Sequence, residues 1–458
     1  MSSKKNLWQR YWDVNSVAQT AHRGENPLSL VVKGLQSMLV MFGATIIVPL
    51  TLGMSPQVTL FGMGVGTLIF LMLTKGKSPL TMGSSFAFMI GVLGIIDAAG
   101  GPFSGDAFTH YDRLQYALGG IITAGVVYLV FSVLVKIIGA KRFMRYMPHA
   151  VTGPTVVLIG VTLAPHAINQ FATNWILGPL TAIIIIVVMV FGRGKVKAFP
   201  ILIGLAIAYF VAVMMNLAGA TNADGSAIIN FAAVTEANLI GLPPFMAPRF
   251  HIVPILMMAP FALATVAENI ADHVIVGAEM GEDLLQGKPG LSRTLFADGL
   301  QSMLVAAFGT PMNTTYSENV GLLIITKVFS SVVVAIGAVF AIILGLSPAV
   351  AEVIRSIPVS IIGGASIMLY GMIASIGMRN VKEHVDLNIV KYLIIMSVML
   401  VVGIGMRFGT PILVNIAGES VRLDRMNLPV AIILGMILNA VLPNETGENK
   451  KDKKAESK

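Results

Sequence analysis

The chain has 458 residues, 55% of them hydrophobic and only 12% charged, with a formal net charge of +8. About 25% charge is usual for a soluble protein, so this composition excludes an ordinary water-facing surface and predicts a polytopic α-helical membrane protein rather than a β-barrel of short alternating segments. The lack of any cysteine excludes disulfides, thiolate metal sites and cysteine nucleophiles.

The chain opens with MSSKKNLWQRYWDVNS, which is polar and has no early apolar core, so it is not read as a cleavable signal peptide. Apolar segments follow at 28–53, 56–74, 83–98, 114–137, 148–168, 175–192, 198–218, 252–280, 292–308, 318–326, 328–346, 356–377, 388–406 and 426–443. Several are short or broken by Gly and Pro, so hydropathy alone allows twelve to fourteen spans. Basic residues favour fourteen with both termini cytoplasmic. Of the lysines and arginines, only Arg113, Arg249, Arg355, Arg407, Arg422 and Arg425 fall in segments assigned outside. The same asymmetry accounts for the positive charge without a nucleic-acid partner. The expected organisation is a cytoplasmic N-terminus (1–27), seven spans (28–218), an external loop (219–251), seven more spans (252–443) and a cytoplasmic tail (444–458). An odd number of spans per half inverts the second half against the first, the plan of many secondary transporters. The heptapeptide GLQSMLV occurs at 34–40 and 299–305, but this offset matches span 1 to span 9, not span 8, and is read as coincidence.

The third span of each half begins abnormally. One begins TMGSSFAFM (81–89), including Ser85 and Phe86; the other is preceded by GTPMNTTYSENVG (309–321), with Tyr316 and Glu318. Their hydroxyl and aromatic residues favour extended backbone, tolerated within a bilayer only where protein or a cavity satisfies it. Two extended pieces at matching positions could satisfy each other and leave half-helix N-termini free to donate to a ligand. The plainer alternative is two ordinary loop ends. Asn313-Thr314-Thr315 is also a glycosylation sequon, discounted because it is not expected on a surface loop.

Span 8 carries Glu268, Asp272 and His273. The two acids, four residues apart, share a helix face, and intramembrane carboxylates are costly enough to mark function by default. Proximity of like charges makes a shared proton plausible chemistry. Plainer roles are structural bonds for Glu268 and Asp272, packing for His273, N-terminal capping for Glu318 and a helix cap for Asp298 at the inner end of span 9. No Walker loop, HExxH, GxSxG or His/Cys metal cluster is present, so neither an enzyme, a metal nor a cofactor is expected.

ENVGLLIITK (318–327), with Glu318, Asn319, Gly321 and Thr326, resembles the signature of the nucleobase/ascorbate transporter family. FGATIIVPL (42–50), TKGKSPLTMGSSFAF (74–88), DLLQGKPGLSRTLFADGL (283–300) and GGASIMLYG (363–371) are similar to its bacterial uracil permease branch. The resemblance runs from about residue 26 to 443. It implies fourteen spans in two inverted seven-span repeats, with short β-strands in spans 3 and 10. It also implies a core domain (spans 1–4 and 8–11), a gate domain (spans 5–7 and 12–14), proton symport by alternating access, and a homodimer in the cell membrane. Carried over by position, Glu268 and Glu318 bind the base, Phe86 contacts it through its backbone, and Ala44, Ser85, Tyr316 and Tyr370 complete the pocket. Proton coupling falls to Glu268, Asp272, His273 and Asp298. Two positions depart from the uracil pattern: Asp272 replaces the usual His, as in many xanthine and urate transporters, and Ser37 replaces the His of GLQH. Glu318 leans the other way, since xanthine and urate members commonly have Gln there. The expected activity is therefore uracil import, with a xanthine or other purine-base symporter as the alternative and an anion exchanger or a non-transporting receptor behind it.

Overall fold

Helices form where the apolar runs stand and stop where Gly, Pro or a polar cap ends them. The computed structural model describes residues 17–20, 26–97, 103, 108–222, 225–416 and 419–443. After a single turn, α1 (Val17–Thr20), comes α2 (Pro27–Leu52). Asn26 caps its start by accepting from the Leu28 N–H, Pro27 sets its first turn, and Gly53 ends it in the left-handed region at φ 69°. The first half continues with α3 (Pro56–Leu73), β1 (Met82–Ser84), α4 (Phe86–Ile96), α5 (His110–Ile138), α6 (Ala140–Met144), α7 (His149–Phe171), α8 (Leu177–Phe191) and α9 (Pro200–Leu217). A short α10 (Ala232–Glu236) lies in the connecting loop. The second half holds α11 (Ile252–Met258), α12 (Ala262–Met280), α13 (Leu291–Ala306), β2 (Asn313–Thr315), α14 (Ser317–Thr326), α15 (Ser331–Gly345), α16 (Pro348–Arg355), α17 (Val359–His384) and α18 (Val390–Phe408). A hairpin of β3 (Leu413–Ile416) and β4 (Glu419–Arg422) precedes α19 (Asn427–Val441).

Among the described residues, eight helical stretches are long and apolar enough to cross a membrane, with α11 and α12 counted as one. There are nine if α15 and α16, bent by 85°, are joined. The chain is a multi-pass membrane protein. Every predicted apolar segment holds helix, but α4 and α14 are only 11 and 10 residues long, about half a bilayer crossing.

Close packing follows from small residues. α7 lies along α17 and α5 along α13. A Cβ on Gly377 would come within 2.8 Å of the Gly153 carbonyl, and one on Gly299 within 2.9 Å of the Gly125 carbonyl. Such approaches drive helix association where no water can. The loop between the halves is tied across the top of the first helices. Gln57 donates to the Gly241 carbonyl, the Gly241 N–H to Leu346, and the Arg249 N–H to Gln115. Asp224 of this loop and the tail beyond 443 lie outside the described residues. The β3–β4 hairpin departs from the sequence reading, which placed no strand there; it pairs Leu413 with Arg422 and Ile416 with Glu419.

Candidate functional site

The two interrupted segments meet. β1 and β2 pair antiparallel, Met82 opposite Thr315, Gly83 opposite Thr314 and Ser84 opposite Asn313, and the Ser85 N–H donates to the Met312 carbonyl at 2.9 Å. Each strand thus satisfies backbone that neither helix can. The strands run into the two half-helices. Ser85 caps α4, its hydroxyl accepting from the Phe88 N–H. Phe86, the first residue of α4, is buried and meets the ring of Tyr370 on α17 edge-on, centroids 5.7 Å apart. Tyr316, at the end of β2, is buried with its ring against Gly83, where a Cβ would come within 2.3 Å of it. Only glycine permits that contact.

Helix α12 supplies the acids. It packs on one side against β2 and α14, and on the other against α7 and α19. Of its polar residues from Ala262 to His273, Thr265, Asn269, Asp272 and His273 are buried, and only Glu268 is half-buried. Glu268 is thus the less buried carboxylate of this stretch. Asp272, one turn further, is 2% exposed. Below them runs a buried polar chain. His273 bonds the Asn269 carbonyl through Nδ1 at 2.7 Å and the Ser78 hydroxyl through Nε2 at 3.1 Å. Asn269 Nδ2 donates to Asp298 Oδ2 at 2.8 Å. Gln301 Nε2 reaches Asp298 Oδ1 (3.1 Å), Ser302 Oγ (2.9 Å) and the Asn313 carbonyl of β2 (2.6 Å). Its Oε1 accepts from Asn313 Nδ2 at 3.2 Å.

This chain revises one expectation. Asp298 is no helix cap; it sits in the middle of α13, fully buried, with both oxygens accepting. Sequence reasoning missed its partners Asn269 and Gln301, and Tyr128 of α5, a buried phenol within electrostatic reach of Asp298, Glu268 and Asp272. The signals were present: Asn269 adjoins Glu268, and Gln301 stands one turn after Asp298.

Other expected residues fall differently. Ala44 lies on α2, which packs against β1 and α4, but its side chain is outside the described part. So are the side chains of Glu318 and Asn319 in the first turn of α14. Gly321 faces open space, and Thr326 ends α14 at a cavity described below. The repeated heptapeptide serves two environments: Gln301 is sealed in the polar chain, whereas Gln36 lines that cavity.

Residues 28–412 match the model of a family described as "Permease family". The chain is 34% identical over 442 residues to a uracil permease of Bacillus subtilis, covering 92% of this chain and 94% of that one. It is 38% identical over 380 residues to a putative pyrimidine permease, RutG, of Escherichia coli, covering 82% of each. Among solved structures it is similar in fold to the transmembrane domain of a cyanobacterial bicarbonate transporter, BicA. That match has a TM-score of 0.62 at 14% identity, over 90% of this chain and 96% of that one. It is also similar to the murine anion transporter Slc26a9, with a TM-score of 0.66 at 11% identity over 96% and 72% of the two chains.

Proposed function

The chain belongs to the nucleobase/ascorbate transporter family, and from that premise we propose that it imports uracil together with a proton by alternating access. The observation that carries this reading is the strand pair. It brings Ser85, Phe86 and Tyr316 from distant parts of the sequence to one place, and its strand β2 packs against α12, the helix that carries half-buried Glu268. Uracil is a flat ring with two N–H donors and two carbonyl acceptors. Glu268 and Glu318 accept from the N–H groups, the first-turn N–H groups of α4 and α14 donate to the carbonyls, and Phe86, Tyr316 and Tyr370 cover the ring from positions that Ala44 helps to shape. The signature residues Asn319, Gly321 and Thr326 shape α14.

Fourteen segments in two inverted halves fit the packing, because helix pairings come in twos. α5 with α13 (segments four and nine) is matched by α15 with α3 (eleven and two), and α8 with α9 by α18 with α19. α17 with α8 is matched by α7 with α18, while α7 with α17 and β1 with β2 map onto themselves. This supports a core of segments 1–4 and 8–11 beside a gate of 5–7 and 12–14; a homodimer with cytoplasmic termini completes the proposed arrangement.

Proton handling is assigned to Glu268, Asp272, Asp298 and His273. A proton on Asp298 Oδ1 displaces the Gln301 amide, which keeps the Asn313 carbonyl and turns to Ser302 Oγ. Protonation thereby changes the bonding of Gln301, the side chain that holds β2.

The test is uptake of labelled uracil into proteoliposomes with an imposed pH gradient. Gradient-driven accumulation is expected; indifference to the gradient sinks the symport reading, and xanthine outcompeting uracil sinks the substrate assignment. Core movement has its own check. Arg425, just before α19, bonds Asp97 at the end of α4 at 2.5 Å. With both positions replaced by cysteine in this cysteine-free chain, a short bis-maleimide is expected to cut uptake by about tenfold or more, since alternating access requires the bodies to separate. Normal uptake by the cross-linked protein rules out separation at this point.

A further inference from the structure

A cavity of about 730 Å³ opens beside α2. Its α2 wall is formed at positions 29, 32, 33, 36 and 37, spaced i, i+3, i+4, i+7 and i+8, which is one helix face. Thr326 at the end of α14 and Phe199 before α9 stand on the other walls. The wall runs from exposed Asn26 and Leu28 to Ser37, which is 3% exposed. By the same spacing the stripe continues to position 44, where α2 passes β1 and α4. From 29 to 44 is about 22 Å at the α-helical rise. The cavity therefore leads along α2 from its exposed first turn toward the strand pair.

The hydroxyl of Ser37 at its inner end has no hydrogen-bond partner. A buried, unsatisfied hydroxyl costs free energy unless something comes to meet it. Beside it stands Gln36, whose amide both donates and accepts. An apolar guest such as a lipid tail would leave both unsatisfied.

We propose that this cavity is the cytoplasmic release vestibule, and that Ser37 and Gln36 form a transit subsite for an uncharged planar heterocycle bearing adjacent carbonyl and N–H groups. The inference rests on the transport function proposed above and adds a second binding position to it. The base leaves the strand pair, exchanges its hydrogen bonds for those of Ser37 and Gln36, and passes Lys33 and Ser29 to water.

The test uses the full chain in proteoliposomes, where Ser37→Cys is the only thiol. A membrane-impermeant maleimide on the cytoplasmic side is expected to label Ser37→Cys about tenfold faster than Met38→Cys, which is buried against its neighbours. Saturating uracil should slow that labelling about threefold, as occupancy of a neighbouring subsite requires. Ser37→Phe, which fills the vestibule, should lower uptake about tenfold and leave uracil affinity within about twofold, because it obstructs release and not capture. Labelling that uracil does not slow, or wild-type uptake by Ser37→Phe, overturns the proposal. Loss of binding by a monodisperse Ser37→Phe also overturns it, by placing Ser37 in the main site. If the unsubstituted chain carries no nucleobase at all, the transport reading itself fails, an outcome separable from these three.

Discussion

Glu268→Gln is expected to abolish uracil uptake while the protein remains folded. The carboxylate is acceptor-only and can take ring N–H groups; the amide turns a donor toward them. A hydrogen bond to a charged group contributes about 1.5–3 kcal/mol, so exchanging acceptor for donor should cost about one to two orders of magnitude in affinity. The fold should survive because Glu268 is half-buried, while its buried neighbours Thr265, Asn269 and His273 hold their own bonds to α12, α13 and the Ser78 loop. Uracil binding and uptake, measured beside thermal stability, provide the check. Near-normal transport would make this residue a structural one and move the base elsewhere.

Asp298→Asn should produce a different loss: binding retained, accumulation abolished. Asparagine can still accept from Asn269 Nδ2 through its oxygen. Its own amide then faces Gln301 Nε2, two donors opposed. Gln301 has a way out, because the Asn313 carbonyl at 2.6 Å and Ser302 Oγ at 2.9 Å remain to receive its two hydrogens. The cost in stability should therefore stay near that of one hydrogen bond, about 1 kcal/mol. What asparagine cannot do is take up and release a proton. Uracil exchange across a membrane without a gradient should continue, and gradient-driven accumulation should fall to background. Wild-type accumulation by this variant would leave Asp298 as a structural anchor for β2 and Asn269. Asp298→Leu is expected to lower stability far more, since it strands the buried Asn269 amide.

Much of this architecture is legible in the amino-acid order, and the reasons differ from part to part. The apolar runs mark their helices because a bilayer tolerates little else. TMGSSFAFM and NTTYSENVG announce themselves because hydroxyl-rich, aromatic backbone has no other place at mid-membrane than against its own kind. The β3–β4 hairpin escaped because four-residue strands at Leu413–Ile416 and Glu419–Arg422 carry too short an alternation to stand out from a connecting loop. The cap alternative for Asp298 stood open because span limits drawn from hydropathy do not say which turn of a helix meets a neighbour. The partnership of Asn269 with Asp298 and Gln301 depends on two helices facing one another, which no local pattern encodes. Ser37 looked like a bare departure from a family pattern; only the cavity at its hydroxyl gives it a place.

The strand pair also bears on engineering. Gly83 tolerates no side chain because of a tyrosine from the other half of the protein, and Ser84 lies opposite Asn313 across the same seam. With the base bound as proposed, selectivity is a joint property of two stretches that are remote in the gene. A chimaera taking β1 and α4 from a purine-selecting relative but keeping its own β2 and α14 would join two half-sites shaped for different guests. The smallest transferable module of recognition here is discontinuous: both interrupted segments, exchanged together.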